Sequence, residues 1–178
     1  MRALLIGTAL SVAIAVGPAA QADRVTKDSL PGVTNLARLE TTVACAGATT
    51  PASMAGIRKL GFVSVINLRL ATENGADVDA EAAAARAAGL RYIHVPFNGA
   101  APEAAAVDQF LIAIKDPASQ PAFIHCATGN RAAAMWMVKR VLVDRWDVAA
   151  ASEEAAALGL TSSPLKQFVL DYLQAHRG

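Results

Sequence analysis

Charge of one sign, cysteine and aromatic side chains are all scarce in this 178-residue chain. Sixteen Lys and Arg against fifteen Asp and Glu leave a formal charge of +1. That balance supplies no clustered cations to displace phosphate counterions, which excludes nucleic acid as a partner. The two cysteines, Cys45 and Cys126, can form one bridge at most, so a disulfide-dense secreted scaffold is excluded as well. Phenylalanine, tryptophan and tyrosine number five, two and two, and the 54% hydrophobic content owes much to 41 alanines. Enough Val, Leu and Ile remain to build one core and to exclude disorder.

Long apolar runs are also missing. The longest, Ala3 to Val16, is apolar or small throughout but falls short of the roughly 20 residues that cross a bilayer. Met1 and Arg2 give it a positive start, Gly17-Pro18 break it, and Ala20-Gln21-Ala22 fit a small-x-small cleavage site. Residues 1–22 therefore read as a signal peptide, with periplasmic or secreted localisation, and residues 23–178 as a single near-neutral domain. No membrane association is expected after cleavage.

From Asn35 onward, β-type runs alternate with helical patterns, which predicts an α/β fold on a mostly parallel sheet of about five strands with helices on both faces. Strands are expected at 35–39, 42–45, 62–68, 91–95 and 122–125, the third and fifth nearly without polar residues, as in strands covered on both sides. Helices are expected at about 51–59, 79–88, 102–114, 129–143, 147–157 and 164–176. Thr50 before Pro51 and Ser163 before Pro164 suit N-caps, and Gly61 and Gly89 suit left-handed helix stops.

The segment PAFIHCATGNRAAAMWMVKRVL carries the chemistry. A buried strand ends in His125-Cys126, a short loop of Ala127, Thr128, Gly129 and Asn130 follows, and a long helix begins near Arg131. Such a strand-to-helix turn gathers free backbone N–H groups and the positive end of a helix dipole, which attract an anion. The same field favours a thiolate at Cys126, and the planar fork of Arg131 can hold two oxygens of a phosphate-like group. No metal is implied, because the loop itself supplies positive charge.

His-Cys, loop, Gly and Arg in this order resemble the signature of the tyrosine and dual-specificity phosphatase superfamily. More narrowly, the chain is similar to the bacterial beta-lactamase-hydrolase-like phosphatase-like family, most strongly over residues 33–160. CAGATTPASMAGIRKLGFVSVINLR resembles that family's first helix and following strand, and AAGLRYIHVPF its strand leading to the loop facing the active site. The resemblance implies a cysteine-phosphatase-like fold and hydrolysis of a phosphoester through a cysteinyl-phosphate intermediate. Cys126 would be the nucleophile, Arg131 and residues 127–130 the phosphate-binding loop, and no cofactor is needed. The substrate would be a phosphorylated small molecule or a phosphoprotein.

Three positions depart from the superfamily pattern. Four residues, not five, separate Cys126 from Arg131, a length also found in rhodanese-type sulfurtransferases. Ala132 stands where a hydroxyl usually follows the arginine. Asn98 follows Val95-Pro96-Phe97 where an upstream Asp would act as general acid, and an amide cannot donate that proton. Glu73, Asp77, Asp79 and Glu103 are the acids nearest the expected active face. A sulfurtransferase with a persulfide on Cys126, or a module that binds an anion or a partner without turnover, are the alternatives. His125 reads as a support for the loop and Arg69 as either a substrate contact or a solvated charge. Cys45 reads as a redox partner for Cys126 or as a free thiol packed near the site.

Overall fold

The computed structural model describes residues 24–176. The expected signal peptide lies outside them. Six strands form one sheet: β1 (Val25–Lys27), β2 (Ala37–Leu39), β3 (Val43–Ala46), β4 (Ser64–Asn67), β5 (Arg91–His94) and β6 (Ala122–His125), in the order β1-β2-β3-β6-β4-β5. The β1/β2 and β2/β3 pairs are antiparallel, and β3/β6, β6/β4 and β4/β5 are parallel. The sheet is thus mostly parallel, as expected, but has one strand more than the sequence suggested. The addition, β1, is a short edge strand with Thr26 and Lys27 exposed, so it carries no apolar alternation to announce it.

A 3-10 turn at Pro51–Ser53 leads into α1 (Met54–Lys59). The other helices are α2 (Val78–Ala87), α3 (Ala104–Lys115), α4 (Asn130–Leu142), α5 (Val148–Leu158) and α6 (Ser163–His176). Among the described residues, no helix is long and apolar enough to cross a membrane. Both expected stops are borne out, with Gly61 at φ 96° and Gly89 at φ 72°. The caps differ. Thr50 precedes the 3-10 turn without a side-chain cap bond, and at α6 the hydroxyl that accepts a first-turn amide is that of Ser162, from Leu165 at 3.4 Å.

Strand periodicity divides the core in two. Phe123 of β6 and Val65 of β4 face α1 and α2, packing with Met54, Ile57, Phe62 and Ala85. Ile124, Cys126, Ile66 and Leu68 face the opposite layer, where α3, α5 and α6 surround α4. Residues Arg131 to Val138 of α4 are all buried, and the alanines among them let neighbouring backbones approach closely. Alternation also places His125 and Asn67 on the first face and Cys126 on the second.

Because β6 lies between β3 and β4, the chain leaves the sheet centre in opposite directions at its carboxyl edge. The turns after β3, β4, β5 and β6 converge there, the place where open α/β sheets hold ligands.

Candidate active site

Residues 126–129 carry the chain from β6 to α4. Gly129 is the N-cap of α4 at φ 99°, a left-handed conformation that L side chains rarely adopt. This turn aims the Gly129 amide at Cys126, whose Sγ accepts it at 3.1 Å. The loop is pinned from outside. Ala48 N donates to Ala127 O at 3.0 Å, Asn35 Nδ2 donates to Thr128 O at 3.1 Å, and Gly47 forms a β-bridge with Thr128. With its carbonyls held this way, the amides of Thr128 and Asn130 have no protein acceptor among the described residues. Gly129→Ala imposes about 1–2 kcal/mol of left-handed strain and turns the amide off the sulfur. The expected result is a lower Tm and weaker anion binding, measured by thermal shift with and without phosphate.

Asn130 Oδ1 accepts the amides of Thr161 and Ser162, both at 2.7 Å, which ties the start of α6 to the loop. Arg131, one residue later, is 9% exposed and threads between two strand ends. Its Nη1 donates to Leu68 O at 3.1 Å and Phe97 O at 2.8 Å. The same fork meets Glu73 in a bidentate pair, Nη1 to Oε1 at 2.6 Å and Nη2 to Oε2 at 2.8 Å. Burial works against the charge on Arg131, but the Glu73 contact and the neighbouring Cys126 outweigh it and raise its pKa.

Burial would likewise raise Glu73, yet Arg131, the Leu70 amide and Arg69 together lower its carboxyl to about 2. Its ordinary value is 4.5, so the stability it contributes is full above pH 4.5 and is lost as the pH falls toward 2. A pH–rate profile is therefore expected to show no limb from Glu73 above pH 4.5. Glu73→Gln keeps the shape but halves the grip on Arg131, and a drop of about tenfold in kcat/KM on an aryl phosphate is expected from the misplaced fork.

The remaining expected site residues divide. Asn98 lines a cavity of about 390 Å³ with Thr128, Asn130 and Arg131, its Oδ1 accepting the Ala100 amide at 3.0 Å. Arg69 is not a solvated charge. It is 4% exposed and spends its guanidinium on Gly75 O, Asn74 O and Glu73, bracing the turn that presents Glu73. His125 lies under the loop on the opposite sheet face, its Nε2 3.2 Å from Glu81 Oε2 but without hydrogen-bond geometry. Glu81 is buried and is held by Asn67 Nδ2 at 2.9 Å and the Tyr92 hydroxyl at 3.0 Å.

Cys45 and Cys126 are both free thiols on one sheet face. Burial first, then proximity to Cys126, pushes the Cys45 thiol well up, which keeps it protonated and slow to exchange. Of the four acids near the active face, Glu73 is in the site. Asp77 caps α2 through the Ala80 amide, and Asp79 and Glu103 are exposed. The sequence placed Glu73 near the active face as one of four acids and did not single it out. Its partnership with Arg131, 58 positions away, has no local signal.

The architecture is shared with phosphatases of known structure. A DUF442 protein from Shewanella putrefaciens CN-32 superposes with a TM-score of 0.67 at 17% identity, covering 81% of this chain and 92% of its own. P. aeruginosa TpbA gives 0.63 at 21% identity, covering 85% and 96%. The core catalytic domain of the PP-IP phosphatase SIW14 from S. cerevisiae gives 0.63 at 17%, covering 80% and 87%. No curated protein matches in sequence. Residues 35–143, which run from the Asn35 clamp through the Cys126 loop to the end of α4, match the model of the beta-lactamase hydrolase-like protein, phosphatase-like domain, and the chain belongs to that family.

Proposed function

We propose that this chain is an exported, single-domain cysteine phosphatase that hydrolyses a phosphoester through a cysteinyl-phosphate intermediate. One observation carries the reading. The Cys126 sulfur accepts the Gly129 amide at the foot of α4, beside a guanidinium that Glu73 holds in a fixed orientation. In the first step Sγ attacks phosphorus, the S–P bond forms and the P–O bond to the leaving group breaks. Arg131 and the loop amides hold the transition-state oxygens. Water then attacks phosphorus, the S–P bond breaks, and phosphate and the thiolate are released.

The neighbours support a phosphorylated substrate. A Cys-to-Ser variant of TpbA forms a complex with pTyr, and SIW14 is a PP-IP phosphatase. The test is hydrolysis of an activated aryl phosphate under reducing conditions, beside Cys126→Ser. Turnover that the serine variant lacks is expected. No turnover by folded protein with a free thiol would reject the reading. Export is tested by the N-terminus of the protein recovered from the periplasm or medium, expected at Asp23.

One feature favours the anion-binding module as second reading: the Cys126 sulfur is fully covered, so a phosphoryl group reaches it only if the loop opens. Phosphate or vanadate raises the Tm under either reading, by about 2.7 kcal/mol of stabilisation at 100 times Kd. Turnover separates them.

A further inference from the structure

The chemistry at the mouth of the Cys126 loop limits what can leave from phosphorus. Among the described residues, the titratable side chains lining the 390 Å³ cavity are Glu73 and Arg131. Both Glu73 oxygens accept from Arg131, with the Leu70 amide added on Oε1 and Arg69 on Oε2, so its carboxylate is saturated with donors and holds no proton to give. Asn98 offers an amide. Glu103, further along the same loop, is exposed and outside the lining.

A departing oxygen therefore leaves with its full negative charge. An alkoxide, with a conjugate acid near the ~15.7 of water, does this poorly. A phosphate, whose second pKa is about 6, leaves unaided.

Two more observations narrow the leaving group. The lining holds no aromatic side chain to pack a phenol ring, its larger apolar residues being Leu70 and Leu165. Across Thr128 and Asn130, which both cavities share, lies a second cavity of about 580 Å³. Its wall includes Lys27, Asn35 and Thr161. Asp28, also there, is tied to Arg38 at 2.8 Å, whereas Lys27 commits one N–H to Ala157 O at 2.6 Å and has others to spare. Leu36 and Leu158 also line the wall, so the space takes a bulky fragment and offers its anionic end the free N–H groups of Lys27.

We propose, resting on the phosphatase reading above, that the substrate is a phosphoanhydride: a terminal diphosphate on a polar, non-aromatic body, whose inner phosphate departs into the larger cavity beside Lys27. Cys126 Sγ forms the S–P bond to the terminal phosphorus, and the bridging P–O bond breaks with its electron pair on the inner phosphate, with no proton transferred. Water then displaces sulfur as the thiolate, and both of its protons stay on the released orthophosphate.

The experiment measures kcat/KM of the protein for inorganic pyrophosphate, 4-nitrophenyl phosphate and glycerol 3-phosphate. Pyrophosphate is expected to exceed glycerol 3-phosphate by about 10³-fold, within the 10²–10⁴ that a missing general acid costs. Asn98→Asp is expected to raise glycerol 3-phosphate turnover at least about tenfold by supplying that acid. Lys27→Ala is expected to slow pyrophosphate more than 4-nitrophenyl phosphate. Glycerol 3-phosphate hydrolysed within tenfold of pyrophosphate, or slowed selectively by Glu103→Gln, would overturn the proposal by revealing a working acid. Turnover of 4-nitrophenyl phosphate without pyrophosphate would overturn it and leave the phosphatase reading standing. No turnover of any of the three would end both.

Discussion

Arg131→Lys is expected to lower kcat on an activated aryl phosphate by about 10³-fold, the upper range for deleting one preorganised oxyanion donor. Lysine keeps the charge but loses the fork. In the native chain that fork makes four bonds at once, to Leu68 O, to Phe97 O and to both Glu73 oxygens, and these fix the plane of the guanidinium beside Cys126. An ammonium cannot span both Glu73 oxygens and two carbonyls in one plane, so its charge is neither aimed nor held. The fold is expected to survive, because Glu73 keeps access to water with a side chain 21% exposed. Steady-state kinetics beside a thermal melt checks this: a large kcat loss with little change in Tm is the expected pair.

Glu154→Ala is expected to act in the opposite way, on stability and not on chemistry. Glu154 is fully buried on α5, where Oε1 accepts from Trp136 Nε1 at 2.6 Å and Arg140 Nε at 2.7 Å. Its Oε2 accepts Arg140 Nη2 at 3.1 Å. Removing one partner of a buried pair costs about 3–5 kcal/mol, because the other is left uncompensated. Asp144 at 2.9 Å and the Trp146 ring at 4.1 Å still hold Arg140, which favours the lower part of that range. At about 2–4 °C per kcal/mol for a domain of this size, a Tm fall of roughly 6–12 °C is expected, with kcat retained at 25 °C. A variant that melts like the wild type would show that the α4–α5 cluster is not holding these helices together.

Arg131 and Arg69 differ in how far the sequence announces their surroundings. Arg131 was legible as a neighbour of Cys126 because its spacing across a glycine loop is local, and β6 was legible because AFIH carries no polar residue before the His125 at its end. The left-handed Gly61 and Gly89 were legible for the same reason, each lying between a helical pattern and a strand. The burial of Arg69 was not legible because its partners, the carbonyls of Asn74 and Gly75, exist only once the turn after β4 has closed on itself. The Glu73–Arg131 and Glu81–Asn67–Tyr92 groups join residues from different elements, so no periodicity or spacing rule could pair them. Ser162 displaced Ser163 as the cap of α6 because Asn130 fixes where the chain enters that helix, a constraint that comes from the loop and not from the Ser-Pro pair. Strand β1 is polar and short, and it is defined by pairing with β2 alone.

The proposed function requires Cys126 to become phosphorylated during turnover. The most direct measurement is a rapid quench of the protein with an activated aryl phosphate, followed by mass spectrometry of the peptide that contains Cys126. A phosphoryl adduct on that sulfur, formed within one turnover and decaying at kcat, is the predicted result. Turnover at full rate with an unmodified Cys126 peptide at every quench time, and with Cys126→Ser still active, would contradict it.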